Sequence, residues 1–213
     1  MFISHRQKGR KAEAPRRDPV LNIRPATTRM AELVRGLDDE TLEAPTPIDS
    51  TVGELLDHIQ SFASAFTAAA EKAQDPSMAG PAPKPDAARL GTDWRDRIPQ
   101  RLSRLATAWS EPSAWEGSTK VGGLEMPGEA AGTVALDEVI LHSWDLAAAS
   151  AQHYEPPADL VEGLVPFLEH MAEPGMSAAR EGLFGPVVPV GEDAPLFHRV
   201  LALAGRRPGW RPS

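Results

Sequence analysis

Residues 136–146 read Leu-Asp-Glu-Val-Ile-Leu-His-Ser-Trp-Asp-Leu, an apolar run that carries Glu138, His142 and Asp145 at steps of four and three. On a helix turning ~100° per residue these three side chains fall within a strip roughly 60° wide. The flanking positions Val134, Leu136, Val139, Ile140, Leu141 and Leu146 are apolar nearly all round, the mark of a buried helix. A charge buried there needs a compensating group. A divalent cation is one such group, because a carboxylate and an imidazole one turn apart can hold the same ion, as in helical Glu/His metal sites of bundles. Asp145 has two open readings: it orients an imidazole from behind, or it bonds Arg or backbone on the bundle surface.

A third ligand must come from elsewhere. The chain has six histidines: His5, His58, His142, His153, His170 and His198. His58 lies one turn from Leu55 and Phe62, which puts it on the core-facing edge of its helix. Taken alone it reads as a core histidine with ordinary hydrogen bonds, and Glu138/His142 as a simple helix pair. Taken together, three polar groups on two apolar helices leave several buried atoms to satisfy. A metal site built from His58, Glu138 and His142 is therefore expected. Two imidazoles and one carboxylate leave coordination positions open, the layout of a working site. Zinc, nickel and ferrous iron all accept that donor set. Such an ion lowers the pKa of a bound water or thiol, or polarises a carbonyl. Trp144 is expected in the core.

The elements that position these residues are helical. Ala26, Met30, Leu33, Val34 and Leu37 mark a first helix, with Pro25 in its first turn and Gly36 near its end. Thr51-x-x-Glu54 is a capping box opening a second helix. That helix puts Val52, Leu55, Leu56, Ile59, Phe62, Ala63 and Phe66 on one face and should end near residues 74–76. A third helix is expected from about Asp86 to Trp109, with a kink or late break at Pro99. Residues 75–86 are a loop by composition, and residues 111–128, with Pro112, Pro127 and four glycines, a long crossover with a possible small hairpin near Thr119 to Val121. A fourth helix, from about Glu129 to Gln152, carries Glu138 and His142. A fifth follows Pro156-Pro157, and a short last one spans Phe197 to Leu203.

The fold class is thus all-α: a four-helix bundle with a long crossover between its third and fourth helices and a small C-terminal helical appendage. The expected division is a disordered basic leader (1–20), a metal-binding bundle (21–155) and the appendage (156–213). Residues 1–17 hold six basic side chains against Glu13 alone, while the whole chain carries a net charge of −8. That balance argues against a general nucleic-acid binder. No cysteine is present, so no disulfide or protein thiolate ligand exists, and any thiol must be supplied from outside. No apolar run suits a membrane span or signal peptide, so a cytoplasmic protein without membrane contact is expected.

Several segments together resemble a known group. These are Pro45-Thr46-Pro47, the stretch Thr51-Val52-Gly53-Glu54-Leu55-Leu56-Asp57-His58, the run from Glu138 to Ala147, and Gly205-Arg206-Arg207-Pro208-Gly209-Trp210. They are similar to the DinB-like superfamily, in the branch of metal-binding proteins similar to the N-terminal domain of mycothiol-dependent maleylpyruvate isomerase. The likeness covers about residues 21 to 210. Ser50 stands where members often have Trp. The resemblance implies a DinB-like bundle with a divalent metal, usually zinc, on His58, Glu138 and His142. It further implies a low-molecular-weight thiol, mycothiol or a similar one, as cofactor in isomerase or S-transferase reactions.

The leading expectation is a metal-dependent thiol S-transferase or isomerase acting on a small electrophilic substrate, as monomer or homodimer. Arg206 is the candidate cofactor contact, through an anionic group. The alternative is a non-catalytic metal- or ligand-binding helical bundle. Another chemistry on the same scaffold, such as metal-assisted hydrolysis, is a third possibility.

Overall fold

A computed structural model describes residues 21–73, 80 and 83–212. The basic leader, His5 and most of the 75–86 loop lie outside the described residues. The described chain is mostly helical, with eight helices and one two-stranded sheet. The long helices are α1 (Arg24–Arg35), α2 (Val52–Ala70), α3 (Trp94–Ala108), α5 (Gly128–Ala149) and α6 (Ala158–Met171). Short ones are α4 (Pro112–Trp115), α7 (Ser177–Arg180) and α8 (Leu196–Leu203). Helices α1 and α2 each pack against both α3 and α5, while α6 packs on α5 and receives α8.

The apolar faces read from periodicity are the buried faces. Ala26, Met30, Leu33, Val34 and Leu37 enter the core from α1 and its end, and the seven positions named on α2 are all buried. The capping box forms in both directions: Glu54 N–H donates to Thr51 Oγ1 (3.2 Å), and Thr51 N–H donates to Glu54 Oε2 (2.8 Å). Two orphan donors of the first turn are thereby satisfied. This fixes where α2 begins, and so where His58 points.

Two helix boundaries differ from expectation. Helix α2 ends at Ala70, because Lys72 turns into the left-handed region (φ 52°). The third helical segment is split: a 3₁₀ turn at Ala87–Arg89, then Gly91 at φ 67°, then α3 from Trp94. Gly91 takes a backbone conformation that other residues resist, and it interrupts the helix at little steric cost. Pro99 causes no break; α3 runs through it, giving up one backbone hydrogen bond.

The expected crossover contains α4 and a hairpin. Strand β1 (Ser118–Val121) pairs antiparallel with β2 (Leu124–Pro127), joined by Gly122-Gly123, both at positive φ. A two-residue turn of that kind matches the twist of the strands and favours glycine at both positions. The hairpin delivers the chain into α5 at close quarters. A Cβ on Gly132 would lie 2.5 Å from the Trp115 ring, so glycine there lets α5 approach the crossover closely. Helix α5 is buried on almost every side, as its unbroken apolar content requires.

Candidate metal centre

Helices α2 and α5 pack side by side and present the expected residues to one another. His58, on the edge of α2, places Nε2 3.0 Å from Glu138 Oε2 on α5. His142, one turn beyond Glu138, places its own Nε2 3.0 Å from the same oxygen. One ligand atom from each of the three residues can be chosen so that all lie within 4.8 Å of one another. The two imidazoles meet edge to face, with ring centroids 4.8 Å apart, and Phe62 stacks on His142 from α2.

Behind His142 stands a buried charge relay of position. Asp145 Oδ2 accepts from His142 Nδ1 (2.9 Å) and from Arg206 Nη2 (2.9 Å), and Arg206 also donates to the Ala204 carbonyl (3.1 Å). Asp145 orients the imidazole and also bonds an arginine, but in the interior and not on the bundle surface as the second reading has it, since Asp145 and Arg206 are both buried. With Nδ1–H engaged there, the other ring nitrogen is the one turned to Glu138.

The electrostatics follow from these contacts. Burial pushes Glu138 upward, but the hydrogen bonds from His142 and His58 outweigh it and hold the carboxylate well below its ordinary range. Burial works against a charged His142 too. The bonds to Asp145 and Glu138 prevail, and the imidazole is raised to about 9. Asp145 is lowered despite its burial, mainly by the Arg206 charge and the His142 bond. An imidazolium between two carboxylates is what such a cluster holds when a proton is the available cation.

The residues fit a divalent ion on their own chemistry. Two nitrogens and one oxygen lie within 4.8 Å of one another, and the two nitrogen–oxygen separations of 3.0 Å approach the roughly 3.4 Å between ligand atoms around a tetrahedral ion. The N–H groups now aimed at Glu138 are those a metal would replace. The side chains of His58 and Glu138 keep 29% and 19% exposure, so the cluster is not sealed from solvent.

One residue beside this cluster carried no role in the sequence reading. Asp137 is buried, and burial, with the neighbouring Glu138 charge second, raises it to about 8. A signal for it existed: on a helix apolar all round, a carboxylate outside the polar strip has no solvent to face. The remaining candidates separate. His153, His170 and His198 are exposed and stand away from the cluster, while Arg206 is buried and reaches it through Asp145.

A family model for the mycothiol maleylpyruvate isomerase N-terminal domain matches residues 23–147, more than half of the chain. The chain belongs to this family. Within the matched span lie His58, Glu138, His142 and Asp145, whereas Arg206 and helices α6 to α8 lie beyond it. Comparison with curated proteins returned no match, and neither did comparison with solved structures. Membership in this family agrees with a candidate metal site between α2 and α5.

Proposed function

We propose that this protein is a divalent-metal-dependent enzyme that uses a small thiol of the mycothiol type, as an S-transferase or isomerase, on a small electrophilic substrate. Its scaffold is a DinB-like four-helix bundle of α1, α2, α3 and α5, with α6 to α8 as the C-terminal appendage. His58, Glu138 and His142 hold the ion, zinc by preference, with nickel or ferrous iron also accepted by this donor set. The observation that carries this reading is the convergence of those three donors, from two helices, within 4.8 Å.

The ion supplies one thing when bound: it makes a thiol that reaches it a thiolate near neutral pH, the nucleophilic form. The rest belongs to the chain. Asp145 keeps His142 in the orientation and tautomer that offers Nε2. Arg206 holds Asp145 in place, and as a cofactor contact it would offer its outer edge to an anionic group. Phe62 excludes water from one side of the His142 ring. Among the described residues no helix is long and apolar enough to cross a membrane, which suits a protein that works in the cytoplasm.

The test is an assay with mycothiol and a generic electrophile, run on metal-loaded and metal-stripped protein. A rate that depends on both metal and thiol supports the proposal; equal rates in both forms, or none with any thiol, would sink it. The narrow cavity beside the ligands, about 30 Å³, favours one second reading, an ion that only staples α2 to α5. In that case His142→Ala would lower the melting temperature strongly and no thiol would bind.

A further inference from the structure

Asp137 is 3% exposed, and its Oδ1 is buried with no hydrogen-bond partner. Natural proteins satisfy nearly all such atoms, and an orphaned one calls for a cause. No protein group supplies it here. Arg206, which lines the same cavity, gives its bonds to Asp145 and to the Ala204 carbonyl.

The surroundings point outward from this atom to the candidate centre. Asp137 lines a cavity of about 30 Å³ together with Glu138, His142 and Arg206. Its opposite wall is apolar and comes largely from the appendage: Phe167 on α6, then Leu183 and Phe184 beyond α7. Leu183 is 57% exposed and so forms the outer rim. The space admits about one polar group at a time. A buried acceptor beside apolar side chains in so small a space offers a place for one polar group of a molecule held at the neighbouring candidate centre.

We propose that Asp137 is a specificity residue of this site, whose Oδ1 accepts a hydrogen bond from an O–H or N–H of the molecule bound beside the metal. The ligand class is a small thiol with a hydroxyl or amide N–H near its sulfur, of which only that polar group enters the cavity. This rests on the metal-and-thiol reading above.

The experiment uses the full chain loaded with cobalt, whose absorption reports thiolate binding, and four probes. These are 2-mercaptoethanol and 3-mercaptopropanol against propanethiol and butanethiol, pairs that differ in a terminal hydroxyl or methyl. The wild type is expected to bind at least one hydroxyl-tipped thiol about tenfold tighter than its partner, the worth of one good hydrogen bond. Asp137→Leu should erase that preference with cobalt content unchanged. In the metal-free state Asp137→Leu should melt at or above the wild-type temperature because it leaves no orphaned polar atom, and Asp137→Asn, which still buries an unpaired amide but no ionisable group, should melt no lower than the wild type. A preference that survives in Asp137→Leu would mean that a buried water alone satisfies Oδ1, and would overturn the inference. Lower melting in both variants would overturn it too, by making the carboxylate structural. A cobalt spectrum that responds equally to both probe classes overturns this inference alone. A spectrum indifferent to all four thiols overturns the thiol reading, and this one with it.

Discussion

His142 is gripped at both ring nitrogens, by Glu138 on one side and Asp145 on the other, and its protonation is therefore tied to metal binding. Its raised value, about 9 in the metal-free protein, means that a cation must displace a proton at neutral pH. Metal affinity should rise about tenfold per pH unit up to about 9 and flatten above it, as read by titration against a chromophoric chelator. The stability consequence has the opposite sense. Folding raises His142 above its ordinary 6.5, so its contribution is complete below pH 6.5 and is lost as pH climbs through about 9. The loss is about 3 kcal/mol. Metal-free protein should weaken over that window in denaturant titrations, and metal-loaded protein should not. Asp145→Asn probes the support behind the ring. It should cost 10- to 100-fold in metal affinity, and it strips Arg206 of its buried counter-charge, at about 3 kcal/mol of folding stability.

At the level of elements, the site is only as well placed as the ends and faces of α2 and α5. Thr51→Ala removes one half of the capping box and should destabilise by about 1 kcal/mol, measured by urea unfolding, with the metal ligands untouched. Gly132→Ala tests the close approach of α5 to the crossover. Helix propensity alone favours alanine by about 1 kcal/mol, yet its Cβ would meet the Trp115 ring at 2.5 Å. Overpacking of that kind costs about 1–3 kcal/mol, so net destabilisation is expected. Much of this layer could be read in the sequence, because its causes are local. The α2 face, its capping box and the Glu138/His142 spacing depend on neighbours three and four positions apart. Gly91 and Lys72 show where local reasoning stops: a positive φ at either position ends a helical pattern that the apolar spacing would carry on. The Asp145–Arg206 pair, separated by 61 residues, was undecidable from spacing, since tertiary packing alone brings its two halves together. Asp137 lies about 100° round the helix from the polar strip, where spacing alone gives a carboxylate no partner.

At the scale of the whole molecule, the candidate centre joins two helices that are distant in the chain, with the appendage walling its far side. A bound ion should therefore act on global stability. Excess chelator is expected to lower the melting temperature of metal-loaded protein, and ions of higher affinity should raise it further, by mass action on the folded state. The family match ends at residue 147, and Phe167, Leu183, Phe184 and Arg206, which line the cavity, lie beyond it. The most direct measurement is elemental analysis of protein purified without added metal or affinity histidines, for wild type, His58→Ala and His142→Ala. About one equivalent of a divalent metal is expected in the wild type, and its loss in each variant, although the two histidines sit on different helices. Folded variants that keep their metal, or a wild type that takes up none when zinc is supplied, would mean that the three side chains hold no common ion.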